Sequence, residues 1–222
     1  MITRILLAAF LCVSMPYKKE KNVNIDDLVT ETQVSNGGAD DISICWWVPC
    51  EFWECALAGQ GIPADQLDET LEVLREYEMV GIVQGELNSF GVPDFTSKME
   101  VEKNLKIVSS SNNSVLMPLS DAEISSEMKI LMVTMSPIME SIMGELGGNF
   151  HFFVFDSENA NGKRICNPLS DGTLTVHTSK FEYEYSTPLP SLVQKKVCPV
   201  DGELLNGTWH FCPHHGDKLK EQ

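Results

Sequence analysis

The chain has 222 residues, of which 43% are hydrophobic, so it is long enough to bury the core of one medium-sized domain and to carry a small additional module. It contains 32 acidic against 16 basic residues, which gives a formal net charge of −16 at pH 7. Such a surface would repel a phosphate backbone, and we therefore expect no nucleic-acid partner.

An apolar run extends from Ile5 to Met15, preceded by Arg4 and followed by Pro16 and a basic cluster. This run is too short to span a bilayer and has the length of the hydrophobic region of a secretory signal peptide. We therefore expect residues 1–15 to be a signal peptide, the protein to be exported to the periplasm or the extracellular space, and no stable membrane insertion after signal removal. The cleavage site is poor, which leaves an uncleaved N-terminal membrane anchor as the alternative.

The next segment, residues 16–41, is mostly polar and contains Asn36-Gly-Gly and two adjacent aspartates. This composition predicts a flexible linker. Residues 42–190 then show helical and strand patterns with turn signals between them, and we predict that they form the main domain.

Seven short segments of this domain have the apolar or alternating pattern of β-strands. They are residues 42–48, 79–84, 105–109, 115–117, 150–155, 173–177 and 181–185. Residues 150–155 are apolar throughout and predict a central strand, whereas the last two segments predict strands with one wet face. Three helices are predicted: residues 51–58, one that opens at Pro63, and one from Ser120 to about residue 144 with a kink at Pro137. Together these elements predict an α+β fold, an antiparallel sheet with three helices.

Large aromatic residues and cysteines are concentrated in the first strand and helix. The aromatic residues are Trp46, Trp47, Phe52 and Trp53. They favour a buried core over an aromatic-lined ligand pocket, because large aromatics supply much of the burial in ordinary domains. Cys45, Cys50 and Cys55 recur every five residues, which matches no metal-binding spacing. In an exported protein one of them could pair with Cys166, and the spacing does not say which.

Methionines recur at helical spacing along the third predicted helix. They are Met128, Met132, Met135, Met139 and Met143. A thioether stripe can bind Cu(I), but isoleucine, valine and leucine residues widen the same apolar surface, and methionine fills cores well. We therefore predict that the stripe is buried packing.

No catalytic motif is found by inspection of the sequence. It has no Gly-x-Ser-x-Gly elbow, no Gly-rich phosphate loop, no His-Glu-x-x-His and no dinucleotide fingerprint. His151 and His177 lie in predicted strands, where an isolated histidine is usually a hydrogen-bonded or exposed sheet residue. We assign no catalytic and no cofactor-binding residue.

Two turns near the C-terminus share one form, in which Cys-Pro-x is followed by a candidate ligand and a Gly. The Gly can adopt a positive φ, which lets the chain fold back so that the Cys and the residue three positions later point at one spot. The candidate ligands are Cys198, Asp201, Cys212 and His215, four donors of the kinds that Zn²⁺ accepts in a tetrahedral site. We predict one structural zinc ion at these residues.

The segment CPVDGELLNGTWHFCPHHGDKL resembles the zinc-ribbon family, whose pattern is CPxCG, a two-stranded turn and then FCPxCGxxL. The resemblance covers 22 residues without a gap and includes Phe211 before the second turn and Leu219 after it. The second and fourth cysteines of the family are replaced here by Asp201 and His215. The resemblance implies a small hairpin module at residues 197–222, and we expect Trp209 and Phe211 to pack the hairpin between the turns.

In an oxidising environment the same two sulfurs have a second outcome, a disulfide between Cys198 and Cys212. We favour zinc, because the Pro and Gly of both turns are retained around the changed ligands. We expect an exported, non-catalytic structural or interaction protein with a zinc-stapled ribbon and an unidentified protein partner. The alternative is a metal-handling protein for zinc or copper, or a metal-dependent enzyme, whose C-terminal site is open.

Overall fold

The computed structural model describes residues 23–58, 60–159 and 161–221, and the predicted signal peptide lies outside them. The described chain has the predicted α+β architecture, with antiparallel sheets. It contains six α-helices, so the prediction of three was wrong. Two of the additional helices have only five and four residues, which is too short for a recognisable helical period, and the third lies in the predicted linker.

The larger sheet has five strands, and all of its strand pairs are antiparallel. The strands are β1 (Gln33–Ser35), β2 (Asp41–Val48), β3 (Tyr77–Leu87), β4 (Pro93–Phe95) and β7 (His151–Asp156). β3 pairs with β2 along one edge. Its other edge is divided between β7, which pairs with the first part of β3, and β4, which pairs with the last three residues.

The second sheet has the order β6-β5-β8-β9 and packs on the first. Its strands are β5 (Lys106–Ser109), β6 (Ser114–Leu116), β8 (Gly172–His177) and β9 (Glu182–Thr187). Two buried tyrosines of β9 bond to the larger sheet. The Tyr183 hydroxyl lies 2.8 Å from both Ser43 Oγ and Gln84 Nε2, and the Tyr185 hydroxyl donates to the carbonyl of Cys45 at 2.9 Å. The two sheets therefore share one hydrophobic core.

The helices are α1 (Ile25–Thr32), α2 (Cys50–Leu57), α3 (Ala64–Arg75), α4 (Lys98–Glu102), α5 (Ser126–Met143) and α6 (Glu145–Gly148). Ser125 caps α5 by accepting the N–H of Met128 at 3.2 Å, and Gly144 ends it with a φ of +62°. The prediction that this helix begins at Ser120 was wrong, because Ser120 and Glu123 bond to each other in a separate turn. None of the helices in the described part of the chain has the length and apolar character that crossing a bilayer requires.

Part of the predicted linker is ordered structure. Within residues 16–41, α1 and β1 occupy residues 25–35, and Leu28 and Thr32 are fully buried. The Thr32 hydroxyl accepts a hydrogen bond from the indole of Trp46 at 3.2 Å. The prediction of a flexible linker was therefore wrong for this part. The polar composition hid an amphipathic helix that buries a single narrow face.

β7 was predicted to be a central strand, and this was also wrong. Among the described strands it pairs with β3 alone and so lies at an edge of the sheet. Phe152, Phe153 and Phe155 are nevertheless buried. An apolar run reports that side chains are covered on both faces of a strand, and it says nothing about the pairing of the backbone at the two edges.

The predicted core residues are buried. Phe52 makes edge-to-face contacts with Trp46 and Trp53 at ring distances of 5.1 and 5.2 Å, and Trp47 packs on Tyr185 at 5.7 Å. Of the methionine stripe, Met128, Met135 and Met139 are buried, and Met132 and Met143 pack against the core. The prediction that both groups are core is confirmed.

Candidate metal centre

The two Cys-Pro turns form the centre of a small C-terminal module. Strand β10 (Lys196–Val197) leads into the first turn, and β11 (Leu204–Leu205) leaves it and pairs antiparallel with β10. The end of the chain pairs with the other edge of β10, where Val197 and Lys220 exchange two backbone hydrogen bonds of 2.8 and 3.0 Å. The second turn is closed by a bridge between Phe211 and Lys218.

Both turns have the same backbone hydrogen bonds. The N–H of Gly202 donates to the carbonyl of Cys198 at 2.9 Å, and the N–H of Gly216 donates to the carbonyl of Cys212 at 2.8 Å. In each turn the cysteine N–H also donates to the backbone carbonyl of the residue that follows the Gly, which is Glu203 at 2.9 Å in the first turn and Asp217 at 2.8 Å in the second. Gly202 and Gly216 have φ values of +78° and +75°, as the sequence predicts.

A small hydrophobic cluster holds the two turns together. It consists of Cys198, Leu205, Cys212 and Leu219. Trp209 and Phe211 are not part of it and are 42% and 60% exposed, so the prediction that they pack the hairpin was wrong. Side chains alternate between the two faces of an extended segment, so Cys212 faces the cluster and its neighbour Phe211 faces away.

Cys198, Cys212 and His215 come together as a group that could hold a metal ion, with their ligand atoms all within 4.8 Å of one another. Nδ1 of His215 lies 3.4 Å from the Cys198 sulfur and 3.5 Å from the Cys212 sulfur. Zinc bound tetrahedrally, at about 2.3 Å from sulfur and about 2.0–2.1 Å from nitrogen, would place such a pair of atoms about 3.6 Å apart. The distances therefore fit a tetrahedral ion with these three ligands.

Asp201, the fourth predicted ligand, lies at the rim of this group and not within it. Its Oδ2 is 3.8 Å from Nδ1 of His215, compared with about 3.4 Å for an oxygen and a nitrogen that share a zinc ion. Its Oδ1 accepts the backbone N–H of Glu203 at 3.0 Å, which closes the first turn. One carboxylate oxygen thus forms a hydrogen bond within the turn, and the other lies near His215 at the edge of the cluster.

The environment gives the two thiols different acidities. Burial raises the pKa of Cys198, and the nearby carboxylate of Asp201 adds to this effect. Burial also acts to raise the pKa of Cys212, but hydrogen bonds from the backbone of His215 and His214 and from the His215 ring outweigh it and lower that pKa. The hydrogen bond to Cys212 in turn raises the pKa of His215. Cys212 is thus the sulfur that most readily becomes a thiolate, the form that binds metals.

The acidity of Asp201 matches a ligand role. Hydrogen bonds from the Glu203 backbone and from the Cys198 thiol lower its pKa, and the charge of His215 adds to this. The carboxylate is therefore ionised at neutral pH, as a metal ligand must be.

Cys45, Cys50 and Cys166 are buried in the core of the main domain. Burial raises the pKa of Cys45 and of Cys50 to about 12 and that of Cys166 well above its ordinary value, so these thiols are poor nucleophiles and poor ligands. His151 and His177 bond to a backbone carbonyl and to a neighbouring glutamate. Among the described residues, no second group of three metal-binding side chains comes together.

A buried ion-pair network was not predicted from the sequence. Glu78 on β3 is almost completely buried, and its Oε1 lies 3.1 Å from Nε of Arg164, which also pairs with Glu51 at the start of α2. Trp47 donates its indole N–H to the other oxygen of Glu78 at 3.0 Å. These residues are far apart in the sequence, so no local sequence pattern could predict their contact.

Comparison of the chain with known protein families, with curated proteins and with solved structures found no match. The geometry of the C-terminal cluster is therefore the basis on which a function is proposed.

Proposed function

We propose that this is an exported, non-catalytic structural or interaction protein whose C-terminal ribbon is stapled by one zinc ion. The observation that carries the proposal is the group of Cys198, Cys212 and His215, whose ligand atoms lie within 4.8 Å of one another. Two thiolates and an imidazole are a donor set typical of structural zinc sites, which are usually completed by a fourth protein ligand. Asp201 is the proposed fourth ligand.

Zinc explains the arrangement of the module better than a disulfide does. The module buries very few apolar side chains, so its own core contributes little to its stability. A disulfide between Cys198 and Cys212 would add roughly 3 kcal/mol on the chain-entropy argument, whereas structural zinc contributes roughly 10–16 kcal/mol when all ligands are engaged. A disulfide would also leave the imidazole of His215 without the role that its position beside both sulfurs suggests.

Export is the second part of the proposal and rests on the apolar run from Ile5 to Met15. Intact-mass analysis of the protein isolated from its natural source tests it. We expect a mature chain that begins after about residue 14 and is recovered outside the cytoplasm. A cytoplasmic protein that retains Met1 would contradict export without affecting the zinc site.

Elemental analysis combined with thiol titration tests the zinc site. We expect one zinc per chain and two thiols that react only after a chelator is added. Cys212→Ser and His215→Ala should each lose the metal, and His210→Ala, which removes an exposed histidine outside the cluster, should keep it. Absence of zinc together with a Cys198–Cys212 disulfide in a peptide map would refute the proposal.

A metal-handling role is the second candidate, and one observation favours it. Asp201 lies outside the compact group of three ligands, and His215 is exposed, so the ion would have an open side. Asp201→Asn separates the two roles. For a closed structural site this change should weaken zinc binding by roughly tenfold or more, because one of four ligands is lost. For an open site, both the affinity and a fast exchange of zinc with a chelator should be unchanged.

A further inference from the structure

A cleft runs along the outer edge of β7, far along the chain from the metal cluster. It consists of two adjoining cavities of about 480 and 400 Å³ that share the side chains of Lys98, Asp121, Ile124, Met132 and Phe152. The first cavity is lined further by Phe150 and His151, and the second by Phe153 and Val154. The two cavities thus follow consecutive residues from the end of the loop before β7 into the strand.

One wall of the cleft is a single face of α5. Lys129, Met132, Val133 and Ser136 line the first cavity, and their spacing of i, i+3, i+4 and i+7 is that of one helix face over two turns. Val133 is 75% exposed. A large apolar side chain is thus presented to solvent at the mouth of an apolar cleft.

The cleft is also lined by β7, whose outer edge is partly unpaired among the described residues. The carbonyl of Val154 accepts the N–H of Leu119 at 2.9 Å, so this carbonyl points away from β3. Backbone groups of alternate residues in an antiparallel strand point to the same edge, which directs the N–H and C=O of Phe152 to the cleft as well. Outside the ladder with β3, no group in the described part of the chain bonds to Phe152. The N–H and C=O of Phe152 thus have no hydrogen-bond partner among the described residues, and Phe152, of which 4% is exposed, lines both cavities.

Charged side chains line both cavities: Lys98 and Asp121 are shared, and Lys129 adds a second basic side chain at the end formed by the first cavity. Lys98 and Lys129 line the first cavity with Asp121, and Glu102 lines only the second. Neither lysine forms an ion pair with any residue that the structure describes. In a chain with a net charge of −16, this end of the cleft is suited to a carboxylate.

We propose that this cleft binds an extended polypeptide segment of a partner protein as an additional strand on β7. The segment would bond to the backbone of Phe152, place apolar side chains at alternate positions against Met132 and Val133, and carry an Asp or Glu near Lys129. An unpaired donor and acceptor on a strand edge, in a cleft that a helix face also lines, supply both the backbone bonds and the side-chain pockets that this binding mode needs. The inference rests on the proposed interaction role, since it names the partner class, and it does not depend on zinc.

Selection from a phage-displayed library of random octapeptides against the full-length protein tests the proposal. We expect enriched sequences with alternating apolar residues and an acidic residue near one end. Synthetic copies should bind Val133→Asp and Lys129→Glu at least roughly tenfold more weakly than the wild type. Ile142→Asp is the matched control, because Ile142 is 58% exposed on the same helix and does not line the cleft. This control should bind like the wild type.

N-methylation of the selected peptide tests the strand geometry. An added strand directs every second N–H to β7, so methylation of one alternate set of amides should abolish binding and methylation of the other set should not. The proposal is overturned if no sequence is enriched, if the Val133→Asp variant binds as well as the wild type, or if both methylated peptides behave alike. It is also overturned if sedimentation shows a dimer that Val133→Asp dissociates, because a second copy would then occupy the edge. If the protein holds zinc but selects no peptide, only the peptide-binding inference is refuted, and the zinc proposal is unaffected.

Discussion

Replacement of Glu78 by Gln tests how the buried network at the start of β3 contributes to stability. Glu78 bonds to the side chains of Arg164 and Trp47, and Arg164 extends the network to Glu51. Glu78 is 1% exposed, so water does not screen these interactions. Gln has the same size and keeps one oxygen and one nitrogen at the carboxylate positions, but it cannot ionise.

The pKa of Glu78 sets the sign of the expected effect. Burial raises this pKa from 4.5 to about 7, and the charge of Arg164 and the hydrogen bond from Trp47 offset only part of the burial effect, while the charge of Glu51 adds to it. Between these two pH values the folded protein holds a proton that the unfolded protein has released. The free energy of unfolding therefore falls as the pH rises through this window. The full shift corresponds to roughly 3 kcal/mol, because one pKa unit is worth about 1.4 kcal/mol.

Urea unfolding followed by tryptophan fluorescence at pH 5, 6, 7 and 8 measures this effect. We expect the free energy of unfolding of the wild type, relative to Glu78→Gln, to fall by roughly 2–3 kcal/mol between pH 5 and pH 8. The subtraction removes the contribution of other groups, such as His151, whose pKa is lowered by burial. Glu72→Gln, on the exposed face of α3, controls for the loss of one carboxylate. A relative stability that rises with pH would show that Arg164 keeps Glu78 ionised and would refute the reasoning.

Two further predictions concern packing and the turns. Met135→Ala should lower the free energy of unfolding by roughly 2–5 kcal/mol, because it opens a cavity in the core. Met132→Leu, which nearly conserves the side-chain volume, should lower it by less than roughly 1.5 kcal/mol. Urea unfolding measures both changes, and equal losses of stability would contradict the assigned burial. Gly216→Ala should weaken zinc binding by roughly tenfold in a chelator competition, because a residue with Cβ is strained by about 1–2 kcal/mol at this positive φ. Gly61→Ala, at a φ of +70° in the connection before α3, should introduce the same strain and leave zinc binding unchanged.

The C-terminal turns were the most predictable part of the molecule, because each is specified by five consecutive residues. A positive φ at Gly202 and Gly216 and the folding back of each chain segment follow from local chemistry alone. The contact of Cys198, Cys212 and His215 also follows, since two such turns within a short segment have few ways to face each other. The position of Asp201 at the rim did not follow, because it depends on the hydrogen bond to Glu203.

The main domain was predictable in its elements and less so in their arrangement. Apolar periodicity located the strands and the longer helices, since periodicity reports which side chains are covered. It could not report that β7 pairs with β3 alone among the described strands, because pairing depends on backbone groups that every residue carries. α5 shows the same limit, because only Glu127, Lys129 and Glu140 are charged in this helix. Its sequence therefore does not distinguish the face buried in the core from the exposed face with Ile130 and Val133.

The presence of Asp201, where the zinc-ribbon pattern that this segment resembles has a cysteine, has a consequence for the chemistry of the proposed site. A cysteine at this position would have one sulfur, whereas the carboxylate has two oxygens, one of which already accepts the N–H of Glu203. The turn can therefore be closed by the side chain before any metal binds, and the second oxygen stays directed toward His215 at 3.8 Å. Pre-organisation of this kind lowers the entropy cost of binding, while the harder oxygen ligand lowers the intrinsic affinity for zinc. Asp201→Asn keeps the acceptor for the Glu203 N–H and removes the negative charge, so its effect on zinc binding reports the ligand role separately from the turn.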